Sequence, residues 1–408
     1  MKEFPMSDVP RGVREVTQGL NEAGYRAWIV GGCVRDRLMG RAPSDWDIAT
    51  SATPEQVTRA FRKVLPTGID HGTVTVLHKG EGYEVTTLRG EGAYSDGRRP
   101  DEVFFVEDIR DDLARRDFCV NALAVDVKGA IVDPFGGLED LGARVIRAVG
   151  DPAERFAEDG LRILRGARFV ATLEFELAPE TEAAFRPALP VFAKVSPERV
   201  REEWIKTMKA KEPSRAFVVM KRTGILEHTC GALDGLSEEQ WAMSLSIMDR
   251  SEAKGAERLA GLFRDVNAGV VESWFRDYRF SNDERKLVLH LLAMTVPEAP
   301  LAGVELRRWL AEAKTHLEPS LRYLGAVYPD IIKAFTLAAR EELGRKPPLS
   351  TKELPVGGHD ILTRLKDQPR RLVGDILRTL LEEAIVDPAS ATREALLVRI
   401  DALIAESQ

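Results

Sequence analysis

The chain has 408 residues, a length that predicts two to four domains at roughly 100–200 residues each. Hydrophobic residues make up 44% of the sequence and charged residues 30%, which excludes a disordered or fibrous protein, and the net charge of −7 excludes a uniformly basic nucleic-acid coat. No apolar run approaches the roughly 18 residues of a membrane helix, and the first residues lack a signal-peptide pattern, so we expect a cytoplasmic protein.

The first third of the chain has the pattern of a mixed α and β domain. A short apolar run ends at Gly31-Gly32 and is followed by a helical pattern that stops at Gly40, which is typical of strand, glycine turn and helix. The predicted elements are helices at 13–23, 33–40 and 54–62 and strands at 26–30, 73–78, 83–88, 102–106 and 122–127. We therefore expect one sheet of about five strands with helices packed on it.

From Asp151 onward the pattern is helical. Asp151 and Pro152 have the order of an N-cap and a first helical residue, and amphipathic patterns follow to the C-terminus. Interruptions of the helical pattern near Pro213 and within 344–358 indicate two further domain boundaries. The fold class is therefore α+β, with a mixed N-terminal domain and an all-helical remainder.

Two aspartates, Asp45 and Asp47, flank a single tryptophan in the stretch SDWDIAT. In an extended segment residues i and i+2 lie on the same face, so both carboxylates can hold metal ions between them. Carboxylate oxygens combined with substrate phosphates suit Mg²⁺. Glu84, in the run YEVTTL, is the candidate third acid from a neighbouring strand. The alternative stays open, because an isolated pair of acids on a loop is usually only solvated.

The glycine pair precedes a helix, and backbone N–H groups at such a turn can approach a triphosphate. Arg35 on the following helix adds a cationic donor. In a two-metal scheme one cation lowers the pKa of an attacking hydroxyl and the other stabilises the leaving pyrophosphate. The order of strand, Gly31-Gly32, helix and acid pair therefore indicates nucleotide chemistry.

The stretch ERFAEDGLRILRGARF predicts one helix over 154–169, on which Asp159, Arg162, Arg165 and Arg168 recur at every third position. On pattern alone, an amphipathic helix with solvated or paired arginines is the favoured interpretation. The functional alternative is base selection, because cytosine and adenine present an amino donor beside a ring-nitrogen acceptor. Asp159 and Arg162 match that order, whereas uracil and guanine would leave polar groups unpaired at about 1–3 kcal/mol each.

These motifs resemble, in order, those of the class II tRNA nucleotidyltransferases, the CCA-adding enzymes of the polymerase-β-like superfamily that includes the bacterial poly(A) polymerases. The resemblance covers nearly the whole chain and rests on the stretches GGCVRDRLMG, SDWDIAT, EVTTLR, RRDFCVNALAVD, DPFGGLEDL and EDGLRILRGARF. It implies a nucleotidyltransferase head at 1–142, a helical neck with the nucleotide-selecting helix at 143–212, a helical body at 213–345 and a helical, tRNA-binding tail at 346–408.

The resemblance also implies roles for individual residues. The triphosphate would be contacted through the glycine turn and two arginines, the ribose through Asp117, and the base through Asp159 and Arg162, while Asn121 would hold its loop. The implied catalytic residues are Asp45, Asp47 and Glu84, of which the two aspartates bind the metal. The implied nucleotide-binding residues are Gly31, Gly32, Arg35, Arg116, Asp117, Asp159, Arg162, Arg165 and Arg168.

The implied activity is template-independent addition of CCA to the 3′ end of tRNA from CTP and ATP, with Mg²⁺ as cofactor and release of pyrophosphate. The implied partner is the tRNA acceptor arm, and neither a membrane nor an obligate protein partner is implied. Candidate contacts to RNA phosphates are basic residues of the helical part, including Arg199, Arg201 and the stretch 363–371.

Alternatives remain open. The first is a narrower enzyme that adds only A or makes poly(A); the segment 89–105, which resembles the flexible loop of full CCA-adding enzymes, argues only against CC-adding relatives. The second is an inactive RNA-binding relative, against which the intact acids argue. Gly160 departs from the family pattern, and we expect it to loosen the helix because glycine costs about 1 kcal/mol in a helix interior.

Overall fold

The computed structural model describes residues 4–69, 72–91, 103–296, 302–365 and 369–406. The chain folds into two compact units. The first comprises Met1–Leu236 with Arg276–Arg279, and the second comprises Ser237–Phe275 with Phe280–Gln408. Within the described ranges, no helix is long and apolar enough to cross a membrane.

All strands of the described ranges belong to the first unit. They are β1 (Ala27–Val30), β2 (Asp47–Thr50), β3 (Val64–Gly68), β4 (Thr73–His78), β5 (Glu81–Thr87), β6 (Arg89–Glu91), β7 (Val103–Phe105), β8 (Ala124–Asp126), β9 (Ile131–Val132), β10 (Val145–Ile146) and β11 (Glu176–Leu177). Seven of them form a mixed sheet in the order β3-β4-β5-β2-β1-β8-β9, while β6 pairs with β7 and β10 with β11. In the large sheet β2 and β5 are parallel, and the other neighbours are antiparallel.

The α+β class is confirmed, but the described part of the large sheet has seven strands where the sequence predicts about five. β2 and β9 are very short, and β3 has mostly exposed side chains, so none of the three has the apolar alternation by which strands are recognised. The strand predicted at 102–106 is β7, which pairs with β6 outside the large sheet.

The helices follow the predicted order. Those of the first unit are α1 (Arg11–Glu22), α2 (Gly32–Leu38), α3 (Pro54–Ala60), α4 (Ile109–Ala114), α5 (Gly137–Ala143), α6 (Pro152–Glu158), α7 (Leu161–Leu173), α8 (Pro179–Ala183), α9 (Leu189–Phe192), α10 (Pro197–Thr207), α11 (Ser214–Thr223) and α12 (Ile225–Asp234). The helices that follow are α13 (Glu238–Arg250), α14 (Gly255–Phe263), α15 (Ala268–Asp277), α16 (Asn282–Ala293), α17 (Val304–Ala313), α18 (Leu317–Val327), α19 (Ile332–Gly344), α20 (Gly358–Leu365), α21 (Leu372–Val386) and α22 (Arg393–Glu406). The predicted capping box is present, because the Thr53 side chain accepts from Gln56 N–H at the start of α3.

The stretch predicted as one helix over 154–169 is two helices. Asp159, between α6 and α7, is extended, with φ −142° and ψ 105°. Gly160 follows it, and a Cβ on Gly160 would lie 2.4 Å from the backbone nitrogen of Phe192. The expectation that Gly160 loosens a continuous helix is therefore wrong, because the close approach of the Phe192 backbone requires a residue without a side chain.

The inner strand β1 is buried on both faces. Ile29 belongs to a core cluster with residues of α1 and α2, whereas Trp28 and Val30 belong to a second cluster that includes Leu113 of α4. Alternate side chains of a strand point to opposite faces, so helices cover both sides of the sheet at this strand. The turn that follows β1 is thereby fixed at the edge of a packed core.

Candidate active site

A cavity of about 600 Å³ in the first unit collects most of the predicted site residues. All of them line it except Gly31 and Glu84. The lining residues are Gly32, Arg35, Asp45, Asp47, Arg115, Arg116, Asp117, Asn121, Asp159, Leu161, Arg162, Arg165, Arg168, Phe169, Arg199 and Lys206. The wall therefore carries acids of the β1–α2–β2 region and cations of α2, α7 and α10.

Gly31 forms the turn between β1 and α2 in a conformation that favours glycine, with φ +80°. A Cβ at this position would lie 2.5 Å from Arg116 Nη1 and 3.9 Å from Asp47 Oδ2. The Gly31 N–H donates to the carbonyl oxygen of Leu123 at 3.0 Å. Gly31 therefore makes room for Arg116 and Asp47, while its N–H is already bonded within the fold.

The two aspartates of the SDWDIAT stretch lie at the start of β2. Asp47 is the first residue of the strand and pairs with Val30 of β1. The pKa of Asp47 is raised by loss of solvent and by the nearby charges of Asp45 and Glu84, and Arg116 opposes this shift. Asp45 and Glu84 are therefore close enough to Asp47 to act on its carboxylate.

Glu84 lies on β5, beside Val85, which pairs with Ile48 of the parallel strand β2. Its side chain is exposed and does not line the cavity. Among the described residues, no group of three His, Cys, Asp or Glu side chains is arranged to hold a metal ion. The structure therefore brings Asp45 and Asp47 to the cavity and leaves Glu84 at its margin.

One nitrogen of the Arg116 guanidinium has no hydrogen-bond partner among the described residues. Its Nη1 donates to the Asn121 carbonyl at 3.3 Å and its Nη2 lies 3.4 Å from Asp112 Oδ2. Its Nε is buried and has no hydrogen-bond partner among the described residues. A buried N–H without a partner is costly, so a phosphate oxygen at this place would complete the bonding of Arg116.

Asp117 lies at the centre of a buried network. Its Oδ1 accepts from Phe118 N–H at 2.8 Å and from Asn121 Nδ2 at 3.0 Å, and its Oδ2 accepts from Arg165 Nε at 2.8 Å and lies 2.7 Å from Arg165 Nη2. Burial opposes ionisation, but Arg165 and Asn121 outweigh it and lower the pKa of Asp117. Asn121 also accepts from Arg35 Nη1. The predicted role of Asn121 in holding this loop agrees with these contacts.

A second buried acid, Glu203 of α10, joins α10 to α7. It pairs with Arg168, lies 3.7 Å from Arg165 Nη1 and 3.3 Å from Lys206 Nζ. Burial raises the pKa of Glu203, but Arg168 and Arg165 outweigh it, and the net shift is downward. The network fixes both arginines of α7 at the cavity wall.

The predicted base-reading pair lies where α6 meets α7. Arg162 is buried; its Nη1 donates to the Arg155 carbonyl at 2.8 Å and to Glu158, and its Nη2 donates to the Arg115 carbonyl at 2.9 Å. Asp159 instead pairs with Arg199 of α10, with 2.6 Å between Nη2 and Oδ2. The two residues line one cavity, but each is held by a different partner.

Phe169, Arg199 and Lys206 also line the cavity, although the sequence does not predict them as nucleotide-binding residues. Phe169 has three guanidinium groups near its ring, those of Arg35, Arg165 and Arg168 at 5.3, 5.6 and 4.0 Å from the centroid. Arg199, expected to contact RNA, lies in the cavity wall. Of these residues, only Phe169 could have been placed at the site from the sequence pattern, because it directly follows the arginine series on the same helix.

Comparison with known proteins places these features in a family. The family model "Poly A polymerase head domain" matches residues 27–147, and the model "Probable RNA and SrmB- binding site of polymerase A" matches 174–233. A CCA-adding enzyme of Lactobacillus delbrueckii subsp. bulgaricus is 36% identical over 392 residues, which are 94% of this chain and 96% of that protein. The chain belongs to the CCA-adding enzyme and poly(A) polymerase family.

Two further similarities agree with this membership. A CCA-adding enzyme of Lactobacillus johnsonii is 48% identical over 231 residues, a stretch that spans 57% of this chain and 58% of that relative. The structure of the Bacillus stearothermophilus CCA-adding enzyme in complex with CTP superposes with a TM-score of 0.82 at 31% identity, covering 97% of this chain and 98% of that one. The fold is therefore shared over nearly the whole length.

Membership of this family implies dependence on a divalent metal. Asp45 and Asp47 fit such an ion, since they supply hard oxygen ligands in one cavity. Burial, followed by the negative charges of Asp45 and Glu84, raises the pKa of Asp47, so a divalent cation at this place would offset both effects. The donor set therefore matches a divalent ion that also contacts substrate phosphates.

Proposed function

We propose that this protein adds C, C and A, without a nucleic-acid template, to the 3′ end of tRNA from CTP and ATP. The supporting observation is that one cavity holds the Asp45/Asp47 pair together with the Asp159 and Arg162 side chains. The first pair suits nucleotidyl transfer and the second suits the Watson–Crick edge shared by cytosine and adenine. The names of the relatives agree with this activity.

In this proposal Asp45 and Asp47 bind Mg²⁺, which when bound lowers the pKa of the tRNA 3′-hydroxyl and stabilises the leaving pyrophosphate. Glu84 assists from the cavity margin by adding negative charge beside Asp47. The aspartates orient the reacting groups. The fixed turn at Gly31 holds the two aspartates at a constant position relative to Arg116. The bond that forms joins the 3′-oxygen to the α-phosphorus, and the bond to pyrophosphate breaks.

The remaining roles follow the position of each side chain in the cavity. Gly32, Arg35 and Arg116 contact the triphosphate, and the buried, unpartnered Nε of Arg116 supports this assignment. Asp117 contacts the ribose 2′-hydroxyl, which has to replace one of its present donors. Arg165 and Arg168, held by Asp117 and Glu203, present positive charge to the nucleotide.

The two base-reading residues are preorganised in different ways. Arg162 has backbone carbonyls and Glu158 as partners, which fixes the plane of its guanidinium. Asp159 lies in extended backbone at the break before α7, so its carboxylate is not part of a helix surface. A rigid acceptor beside a rigid donor discriminates against uracil and guanine, because both would leave polar groups unpaired.

The domain division also belongs to the proposal: head 1–142, neck 143–212, body 213–345 and tail 346–408. The tRNA acceptor arm binds to basic residues of the helical part, which includes the range 174–233 matched by the RNA-binding family model. The stretch 363–371 remains a candidate, although 366–368 lie outside the described residues. Most of the segment 89–105 also lies outside them.

The test is stepwise extension of three tRNAs that end at the discriminator base, at C and at CC, each with single nucleotides. Full activity predicts that CTP extends the first two and ATP extends the third by one residue. Use of ATP alone supports the narrower enzyme, and long A tails support poly(A) synthesis. No incorporation at all favours the inactive RNA-binding relative.

A pair of variants tests the role of the acids. Asp45→Asn and Asp47→Asn keep the side-chain shape but remove the charge that binds the metal. We expect each to reduce turnover at least about a thousandfold while tRNA binding is retained. Turnover close to that of the wild type in either variant would refute the metal-binding role of that residue.

A further inference from the structure

Arg199 of α10 forms a bidentate salt bridge with the Asp159 carboxylate. Its Nη1 donates to Oδ1 at 3.2 Å and its Nη2 donates to Oδ2 at 2.6 Å. Both side chains are largely buried, with 29% of the Arg199 and 15% of the Asp159 side chain exposed. A planar fork of this kind fixes the plane of the carboxylate as well as its position.

The hydrogen bonds of Asp159 leave little freedom for a ligand. A carboxylate offers about four acceptor positions. Oδ1 accepts from Arg199 and from Leu161 N–H at 3.0 Å, and Oδ2 accepts from Arg199. Within the part of the chain that the structure describes, the position that remains lies on Oδ2.

We infer that Arg199 is a positioning residue for base selection, an inference that rests on the proposed function. The bidentate guanidinium of Arg199 orients the Asp159 carboxylate so that one of its acceptor positions faces the amino N–H of cytosine or adenine. A keto oxygen of uracil or guanine at the same place meets an oxygen with no proton between them. Because Arg199 prevents the carboxylate from turning away, that mismatch cannot be relieved.

The competing role for Arg199 is a contact to RNA phosphate, the role expected from its charge. The geometry argues against it, because the guanidinium already bonds to both oxygens of Asp159. Arg201, two residues along the same helix, differs because it donates to the Arg279 carbonyl instead. The two arginines therefore form a matched pair, of which only one touches the base-reading acid.

The experiment compares Arg199→Met, Arg199→Lys and the control Arg201→Met. For each, kcat/KM is measured with CTP and UTP on tRNA that ends at the discriminator base, and with ATP and GTP on tRNA that ends in CC. We expect Arg199→Met to lower the preference for CTP over UTP by about tenfold or more. Arg199→Lys rescues only part of it, because lysine keeps the charge but lacks the fork. Arg201→Met keeps the preference of the wild type.

A double-mutant cycle separates positioning from a general structural effect. If Arg199 acts through Asp159, the preference of Asp159→Ala and of Asp159→Ala/Arg199→Met is the same. A further loss in the double variant overturns the inference. It is also overturned if Arg199→Met keeps wild-type preference and raises KM for tRNA by the same factor as Arg201→Met.

The preference for CTP over UTP is also measured without tRNA, as the ratio of the equilibrium binding constants of the two nucleotides for the wild type and the three variants. A wild type that fails to extend tRNA would overturn the proposed function, and the binding ratio would still decide the role of Arg199. Equal loss of CTP and UTP binding in Arg199→Met would show that Arg199 contributes only charge to the cavity.

Discussion

At the scale of single residues, the site depends on positions where a side chain is absent. Gly31 and Gly32 are adjacent and look equivalent in the sequence. In the structure only Gly31 has a positive φ, and only its Cβ would collide with Arg116. The sequence could predict a glycine turn but not this difference, because it depends on a residue 85 positions away in the chain.

This difference gives a prediction for Gly31→Ala with Gly32→Ala as its control. Gly31→Ala strains the backbone and displaces Arg116 from the cavity wall, so we expect a loss of about 2 kcal/mol in stability and a raised KM for CTP. At Gly32 the nearest atom to a new Cβ is Arg35 Nη2 at 3.4 Å, so stability is kept. Urea unfolding and CTP titration measure both effects. Equal stability losses in the two variants would contradict the argument.

At the scale of elements, the break between α6 and α7 is the feature on which base selection depends. The sequence predicts one continuous helix there, because the apolar and charged periodicity continues through Asp159 and Gly160. The break follows from the backbone of Phe192, which approaches Gly160 from a different element. Such a contact has no local signature, so periodicity alone could not predict it.

We therefore expect Gly160→Ala to destabilise the protein by about 1–3 kcal/mol, because a methyl group would force the Phe192 backbone to move. Gly142→Ala in α5 is the matched control, since nothing lies within 4 Å of its Cβ and its φ is ordinary. We expect the free energy of unfolding of that control to rise by about 0.4–1 kcal/mol, because alanine restricts the unfolded chain more than glycine does. Thermal unfolding of both variants measures the difference. A Gly160→Ala variant as stable as the wild type would refute the close-packing explanation.

The α7–α10 contact gives a pH-dependent prediction. The pKa of Glu203 is lowered below its ordinary 4.5, so its stabilising effect is complete above pH 4.5 and is lost as pH falls through the lowered value. Glu203→Gln leaves the buried Arg168 without its charged partner and costs about 3–5 kcal/mol at pH 7. The difference from the wild type shrinks at successive pH values below 4.5.

Urea midpoints at each pH measure this effect, with Glu202→Gln as the control on the same helix. Glu202 is exposed, so its variant stays within about 0.5 kcal/mol of the wild type at every pH. A Glu203→Gln difference that is independent of pH would show that the loss comes from packing and not from the charge.

At the scale of the whole molecule, the sequence predicts the order of the secondary-structure elements better than the contacts between them. The α+β class, the glycine turn and the start of α3 at its capping box are as expected. The sequence does not predict β2 and β3 as strands, because the four residues of β2 lie inside the SDWDIAT motif and the five residues of β3 are mostly exposed, so neither carries a periodic signal. The pairing of Asp159 with Arg199, 40 positions apart, depends on packing of α7 against α10, which composition and spacing do not encode.

The second unit contains a buried arginine that connects three of its helices. Arg307 of α17 donates from Nε to the Ile385 carbonyl at 2.6 Å and from Nη2 to the Val386 carbonyl at 3.0 Å, both at the end of α21. Its Nη1 pairs with Glu342 of α19 at 2.9 Å. These contacts satisfy carbonyls that a helix end leaves without intrahelical partners.

Arg307→Met removes one partner of a buried ion pair and exposes these carbonyls to an apolar side chain, so we expect a loss of about 3–5 kcal/mol in the second unit. Arg308→Met is the control, because its pair with Glu382 is half exposed and contributes about 0–1 kcal/mol. All residues of the nucleotide cavity lie in the first unit, so the binding ratio of CTP to UTP stays that of the wild type. Hydrogen-exchange mass spectrometry measures the effect as lost protection in peptides of α17, α19 and α21, with protection kept in β1 and α7. Equal loss of protection in both units would show that they unfold together and would refute the prediction.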